Sequence, residues 1–452
     1  MGQTRRTFDI AGVVQGVGFR PAVYRLARQA GLAGWIQNRT GMVRLVLEGV
    51  SADIEKFIQA LPSQLPPNAR IESIATVETA TVSACDASHE FRIVDSDGAT
   101  DMAIVIPADL AICPDCLADI LDPGNRRCGY PFTTCTNCGP RYTVVNSTPY
   151  DRERTTMSVF PLCDECRREY ENPAHRRFHA ESIACPNCGP RLWLETPHGQ
   201  KIAGDALRTA RHELARGKVV AVRGIGGFLL AADPFNRDTV RILRERKKRP
   251  HKPFAVMGRN LDVLRRFCVV PPEAERLLTS PESPIVICDV KPNCALPMGL
   301  ISPDTGTLGV MLPTSPLHRL LLEPLKGDSS PAFDLLIMTS GNRRSEPICL
   351  TNDEARARLH DIADLLLCHD REINLRNDDS LCILQRGAPQ VWRRARGYAP
   401  NPVRLKQRLN RCVLAMGAEI KSTVALGFEN QVVISPHVGD LETPEALEGL
   451  EQ

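Results

Sequence analysis

The sequence predicts a multidomain chain in which an α+β unit at the N-terminus and an α/β unit further on flank a cysteine-rich stretch. Three observations predict it. The chain has 452 residues, more than one hydrophobic core organises, so roughly three domains of ~150 residues are expected. Over the first hundred residues the apolar period switches between strand-like and helix-like in the order β-α-β-β-α-β. Eight of the 17 cysteines fall in four C-x2-C pairs between Cys113 and Cys188. The net charge of +3, from 56 Lys+Arg against 53 Asp+Glu, argues against polyanion binding by bulk electrostatics. No run of ~18 apolar residues marks a membrane span, and the basic N-terminus lacks the apolar core of a signal peptide, so a cytoplasmic location is expected. In that compartment an odd cysteine count points to metal ligands rather than disulfides.

The N-terminal elements follow in order. Residues 7–14 read as a strand, then comes Gln15-Gly16-Val17-Gly18-Phe19-Arg20-Pro21, with Pro21 suited to the first turn of a helix. Val23, Leu26, Ala27 and Ala30 mark one buried face of that helix. Residues 35–38 and 43–48 read as strands joined by a turn at Arg39-Thr40-Gly41, and Ile54, Phe57, Ile58 and Leu61 as a second helical face. Strands near 71–78 and 91–94 complete a ferredoxin-like split β-α-β arrangement. In the loop before the first helix, two glycines let backbone N–H groups converge, and the helix dipole favours an anion there. Arg20 adds a planar fork suited to phosphate. A glycine-rich loop taken alone is weak grounds for a site, and Asn38 taken alone reads as a turn-former before Thr40-Gly41.

The cysteine pairs are Cys113/Cys116, Cys135/Cys138, Cys163/Cys166 and Cys185/Cys188, forming two C-x2-C-x18-C-x2-C units at an offset of 50 residues. Arg126-Arg127 and Gly139-Pro140-Arg141 echo Arg176-Arg177 and Gly189-Pro190-Arg191. Four thiolates at this spacing suit tetrahedral Zn2+, and a closed shell of four leaves no open position, so two structural zinc ribbons are expected. Segments this poor in apolar residues draw their folding energy from the metal. Cys128 lacks a counterpart and reads as a plain thiol; His175 and His179 read as non-ligands. Arg126, Arg127, Arg141, Arg152, Arg167, Arg168, Arg176 and Arg177 leave a nucleic-acid-binding ribbon as an alternative.

From Gly204 onward helix and strand signals alternate. Leu207, Ala210 and Leu214 mark a helix ending at Gly217; residues 219–222, 285–290, 335–339 and 365–369 read as buried strands of an α/β domain. Arg244, Arg246, Lys247, Lys248, Arg249, His251 and Lys252 crowd where Pro250 and Pro253 break a helix. Such a run is either a solvated face or a loop gripping a polyanion. There is no G-x4-G-K-[ST] pattern, which excludes a P-loop nucleotidase.

Three resemblances sharpen these readings. Gly12–Arg20 and Gly34-Trp35-Ile36-Gln37-Asn38 resemble the signature of acylphosphatases. The likeness implies Arg20 holding a phosphate in a cradle of Gln15, Gly16, Val17, Gly18 and Phe19, with Asn38 orienting the attacking water. Arg246–Met257, Leu312–His318, Met338-Thr339-Ser340-Gly341-Asn342, Asn377–Ser380 and Arg394–Pro400 resemble YrdC-like domains. That implies ATP binding, with Lys247, Arg249 and Lys252 on phosphates, Ser340 and Asn342 on nucleotide or acyl group, and Mg2+ as counter-ion. Val413–Lys421 and Ser435–Leu441 resemble the opening of an actin-like, TsaD-like domain. Residues 1–95, 105–195, 200–402 and 410–452 in this order resemble the hydrogenase-maturation carbamoyltransferases.

That family resemblance implies hydrolysis of carbamoyl phosphate to carbamate and formation of carbamoyl adenylate with ATP. The carbamoyl group then passes to the C-terminal cysteine of HypE in cyanide-ligand synthesis. The family continues where this chain stops at Gln452, so a shortened fourth domain and loss of the final transfer are expected, and the lone His437 reads as filler rather than a ligand. Two other functions fit parts of the pattern: threonylcarbamoyl-adenylate synthesis for tRNA modification, against which the acylphosphatase segment speaks, and a non-catalytic zinc-ribbon binding module.

Overall fold

The structure is a computed structural model that describes residues 3–39, 41–66, 68–82, 90–94, 106–148 and 150–451. Cys85, and Thr40 of the expected turn, lie outside the described residues. The chain forms two compact units: residues 1–107 with 134–189, and residues 108–133 with 190–452. The stretch 105–195, expected as one ribbon region, thus contributes to both.

The first unit carries β1 (Gln3–Val13), α1 (Phe19–Gln29), β2 (Ala33–Arg39), β3 (Met42–Gly49), α2 (Ser51–Ala60), β4 (Arg70–Val82) and β5 (Phe91–Ile93). They make a sheet in the order β4-β1-β3-β2-β5, antiparallel except where β5 runs parallel to β2. The two-residue period of a strand places Gly34, Ile36 and Asn38 on the buried face of β2. Ile10, Phe19, Val23, Ile36, Leu45 and Ile54 share one apolar core. The buried stripe of α1 stops at Ala27; Ala30, expected on that face, is the exposed C-cap, because the helix has already ended there.

The ribbons each contain one short helix, α3 (Pro114–Leu121) and α4 (Asp164–Glu171), starting on the residue after the first cysteine of a pair. The 50-residue repeat in sequence is therefore also a repeat in structure.

In the second unit, β6 (Leu192–Glu195), β7 (Lys201–Ile202), α5 (Ala206–Ala215), β8 (Val220–Arg223), β9 (Phe228–Ala232), α6 (Arg237–Arg246), β10 (Val256–Gly258) and β11 (Ile285–Asp289) come first. Then follow β12 (Thr307–Met311), β13 (Leu335–Ser340), β14 (Leu365–His369), β15 (Leu381–Gln385) and β16 (Ala388–Arg393). These strands form one mixed sheet of 11, in the order β16-β15-β11-β12-β10-β13-β9-β8-β14-β6-β7. β8, β9 and β14 are buried throughout, and their side chains alternate between two apolar layers. Ala221, Leu230 and Leu366 face one, and Val222, Ala231 and Leu367 the other. A sheet covered on both faces reads as continuous apolar runs, which is why β8 and β14 were legible; β9 was not read from the sequence. β11 differs: it buries Val286 and Cys288 and leaves Asp289 exposed, so it is half-buried rather than buried throughout.

Beyond it, β17 (Val403–Arg404), β18 (Val413–Met416), β19 (Val424–Phe428) and β20 (Gln431–Ile434) make a four-stranded sheet ordered β17-β20-β19-β18. β18 is exposed along its whole length. Among the described residues no helix is long and apolar enough to cross a membrane.

Candidate active site and metal centres

The loop between β1 and α1 is shaped by two left-handed residues, Gly16 at φ 65° and Gly18 at φ 75°. A Cβ on Gly16 would meet the Pro107 ring at 2.4 Å, so a side chain is excluded there by space as well as by backbone. Val17 and Phe19 point into the apolar core, so only their backbone is free to face a ligand. Gln15 donates Nε2 to the carbonyls of Arg39 (2.6 Å) and Met42 (3.0 Å). That ties the loop to the β2–β3 hairpin bearing Asn38. Gly18 caps α1 without a side-chain hydrogen bond and the first turn holds no acidic residue, leaving the helix N-terminus to an anion.

Asn38 is fully buried, and among the described residues neither its Oδ1 nor its Nδ2 has a hydrogen-bond partner. It belongs to β2 and pairs with Val43, so the turn-former reading is set aside. Arg20 is 8% exposed. Its Nη2 lies 3.3 Å from Asp151 Oδ1 and 3.6 Å from Glu181 Oε1. Its Nε and Nη1 make no hydrogen bond with the described residues. One edge of the fork is thus held by carboxylates and the other is available.

Those carboxylates come from residues 134–189, where the sequence offered no local signal for them. Several arginines weighed there as a nucleic-acid surface are instead internal fasteners. Arg141, 2% exposed, donates to the carbonyls of Gly16 (2.7 Å), Gly139 (2.7 Å) and Thr136 (2.8 Å). Arg177 Nε donates to Thr134 O at 3.0 Å, and Arg152 to the carbonyls of Glu181, Ile183 and Phe160. Arg127 is buried as well. Saturating backbone carbonyls removes these cations from solvent, and of the expected set Arg167 and Arg168 are exposed.

The eight expected ligands assemble as Cys113, Cys116, Cys135 and Cys138, and as Cys163, Cys166, Cys185 and Cys188, with all four sulfurs of each group within 4.8 Å of one another. Sulfurs at ~2.3 Å from a tetrahedral Zn2+ are separated by about 3.8 Å. The distances Cys135–Cys138 (3.8 Å), Cys163–Cys185 (3.7 Å) and Cys185–Cys188 (3.7 Å) match that edge. The residues fit two zinc ions, and neither His175 nor His179 joins a group. Cys166→Ser is expected to lower zinc content from two ions per chain to one, measured by elemental mass spectrometry on the folded protein; an unchanged content would remove Cys166 from the ligand set.

In the second unit, α6 ends at Arg246, and Lys247 and the left-handed Lys248 (φ 49°) turn the chain away. Lys247 is 5% exposed and donates Nζ to Ser340 O (2.7 Å), Asn342 O (2.9 Å) and Asn342 Oδ1 (3.0 Å). Ser340 Oγ also donates to Asn342 Oδ1 at 2.8 Å. Arg249 reaches Thr339 Oγ1 at 3.3 Å and Lys252 O at 3.0 Å, and stacks over Phe254 with its guanidinium carbon 5.1 Å from the ring centre. The five expected residues Lys247, Arg249, Lys252, Ser340 and Asn342 therefore form one cluster. Burial, then the charges of Arg249 and Lys252, push the Lys247 ammonium down to about 7. Burial and Arg244 bring Arg249 down to about 10.

The basic run is neither wholly a solvated face nor wholly a grip. Arg244 is buried and donates to Leu300 O, Ile301 O and Pro250 O, while Arg246 donates to Ile362 O and Asp364. Both brace the loop. Asp378 and Arg393, joined at 2.7 Å, add a charge pair to the neighbourhood that carried no assigned role in the sequence. The half-buried His437 is pushed down to about 4, by burial first and then by Arg393. It is an uncharged neighbour of the cations.

A glycine-shaped loop at a helix N-terminus beside Arg20, two four-cysteine groups and a buried cation cluster thus lie along one multidomain chain. Comparison with known proteins agrees. Residues 6–93 match the acylphosphatase family, 112–145 and 162–195 the HypF finger, 212–395 the telomere recombination family that includes Sua5 and YrdC, and 408–452 the HypF Kae1-like domain. The chain is 44% identical over 435 residues to the carbamoyltransferase HypF of Rhodobacter capsulatus, covering 96% of this chain and 56% of that protein. It is 41% identical over 92 residues to an acylphosphatase of Salinibacter ruber, covering 93% of it. A crystal structure described as full-length HypF in the phosphate- and nucleotide-bound form superposes with a TM-score of 0.90 at 40% identity, covering 99% of this chain and 57% of that one. The chain belongs to the HypF carbamoyltransferase family. It spans about half the length of the curated relatives it matches.

Proposed function

We propose that the chain hydrolyses carbamoyl phosphate to carbamate and phosphate at Arg20 and Asn38. It then joins carbamate to ATP at the Lys247–Arg249–Lys252 cluster, releasing pyrophosphate. In this reading Arg20 holds the phosphoryl group against the Gln15–Phe19 loop, and the buried amide of Asn38 orients the attacking water. An acyl phosphate is already activated, so positioning and charge stabilisation suffice. In the second step a carbamate oxygen attacks the α-phosphorus, pyrophosphate leaves, and carbamoyl adenylate remains. Lys247, Arg249 and Lys252 offset the charge of the triphosphate, Ser340 and Asn342 contact nucleotide or acyl group, and Mg2+ serves as counter-ion. The carbamoyl group is destined for the C-terminal cysteine of HypE. The observation that carries the reading is the fully buried amide of Asn38, without a partner among the described residues, on the strand tied by Gln15 to the Arg20 loop. The test is ATP–pyrophosphate exchange with and without carbamoyl phosphate; exchange that needs threonine and bicarbonate instead would point to threonylcarbamoyl-adenylate synthesis.

Asn38→Leu separates function from packing. A buried amide without partners costs roughly 1–3 kcal/mol, so the variant is expected to match or exceed the wild-type Tm while phosphate release from carbamoyl phosphate falls about 100-fold. A large drop in Tm with retained turnover would show that Asn38 is structural.

A further inference from the structure

Glu181 is 4% exposed. Its Oε2 accepts hydrogen bonds from Tyr170 Oη (2.6 Å) and from the backbone N–H of Arg152 (3.0 Å), which fix the carboxyl on the second ribbon. Its Oε1 has no hydrogen-bond partner among the described residues and lies 3.6 Å from Arg20 Nη2. Gly16, Gly18, Arg20, His179 and Glu181 line one cavity. Asp151 approaches the same Nη2 at 3.3 Å. Two carboxylates thus face one guanidinium at the place where an anion is to be held. With both ionised, their charge exceeds that of the fork and repels the anion.

We propose that Glu181 is the proton-accepting residue of this anion site: an anion settling on Arg20 enters together with one proton, taken from solvent onto Glu181 Oε1. The new O–H bond removes the repelling charge and turns a partnerless oxygen into a donor at the cavity wall. The proposal rests on Arg20 being the anion-binding residue. Burial raises the Glu181 carboxyl to about 7, against the opposing pull of Arg20 and of the Tyr170 hydrogen bond. The groups facing it are Arg20, Asp151, Arg152, Tyr170 and, across the cavity, His179. Burial drives His179 down to about 4 and Tyr170 far above its ordinary value, so neither exchanges a proton near neutrality.

Sulfate is the probe, because it keeps two negative charges at every pH of interest. Titration calorimetry in buffers of different ionisation enthalpy gives the protons taken up. For the wild-type chain, up to about three-quarters of a proton per sulfate is expected at pH 7.5, the share of Glu181 ionised before binding, with affinity falling at least about tenfold between pH 6.5 and 8.5. Glu181→Gln is expected to bind without proton uptake and with a flat profile. Tyr170→Phe, which keeps the carboxyl but removes a bond that favours its ionised form, is expected to move the fall in affinity to higher pH, and decides the matter should Glu181→Gln not retain its zinc. Binding by wild type without proton uptake, or an unaltered slope in Glu181→Gln, overturns the proposal. If Arg20→Ala binds sulfate as wild type does, the assignment of Arg20 itself falls; if it loses binding while Glu181→Gln keeps the wild-type slope, the role of Glu181 alone falls.

Discussion

Replacing Arg20 with alanine is expected to slow carbamoyl-phosphate hydrolysis about 1,000-fold and to abolish pyrophosphate exchange that depends on carbamoyl phosphate. The size follows from what the side chain supplies. It is the cation of the loop, largely buried, with Nε and Nη1 not engaged by any of the described residues. Removing one preorganised charge from such a place costs on the order of 10²–10³ in rate, and here it also strands two carboxylates, Asp151 and Glu181, without their cation. The helix N-terminus and the glycine turns stay in place, so some weak anion binding is expected to persist. Phosphate release from carbamoyl phosphate by stopped-time assay measures the loss, and retained zinc content reports that the ribbons are intact. Turnover within threefold of wild type would show that the chemistry lies elsewhere.

Lys247→Met is expected to weaken ATP binding by roughly 10–100-fold. Loss of charge-assisted hydrogen bonds costs about 1.5–3 kcal/mol, or one to two decades of affinity. The same change has a signature in stability. The Lys247 ammonium is held at about 7, below its ordinary 10.5, because it is buried beside other cations. Between those two values the unfolded chain binds the proton that the folded chain has released. Stability therefore rises with pH across that window, and the burden of a buried charge is greatest below pH 7. Wild type is expected to gain more Tm than Lys247→Met on going from pH 6 to pH 9, by differential scanning calorimetry. Equal gains would show that the ammonium is no more costly folded than unfolded.

The parts of the molecule legible in its sequence are those whose physics is local. The split β-α-β unit and the buried strands β8, β13 and β14 follow from apolar period, and the two metal sites from thiol spacing. Lys247, Arg249 and Lys252 stood out as a run broken by prolines, and their meeting with Ser340 and Asn342 at the end of β13 is seen in the structure. What stayed hidden depends on contacts between distant segments. Asp151 and Glu181 meet Arg20 across more than 130 residues of chain, and no local pattern announces such a meeting. Charge runs misled in both regions for one reason: an arginine that saturates backbone carbonyls, as Arg141, Arg152 and Arg244 do, reads in sequence like one that faces solvent.

The duplicated ribbon has a consequence for how its two copies differ. Both gather four thiols at a matching offset, yet Pro131 stands in one where Glu181 stands in the other. Holding a metal demands little beyond the cysteines and their turns, so the remaining positions of each copy were free to acquire a separate task. Metal retention and the electrical environment of Arg20 are accordingly separable traits of the second copy: a chain can keep its full complement of zinc and still carry a silenced anion site.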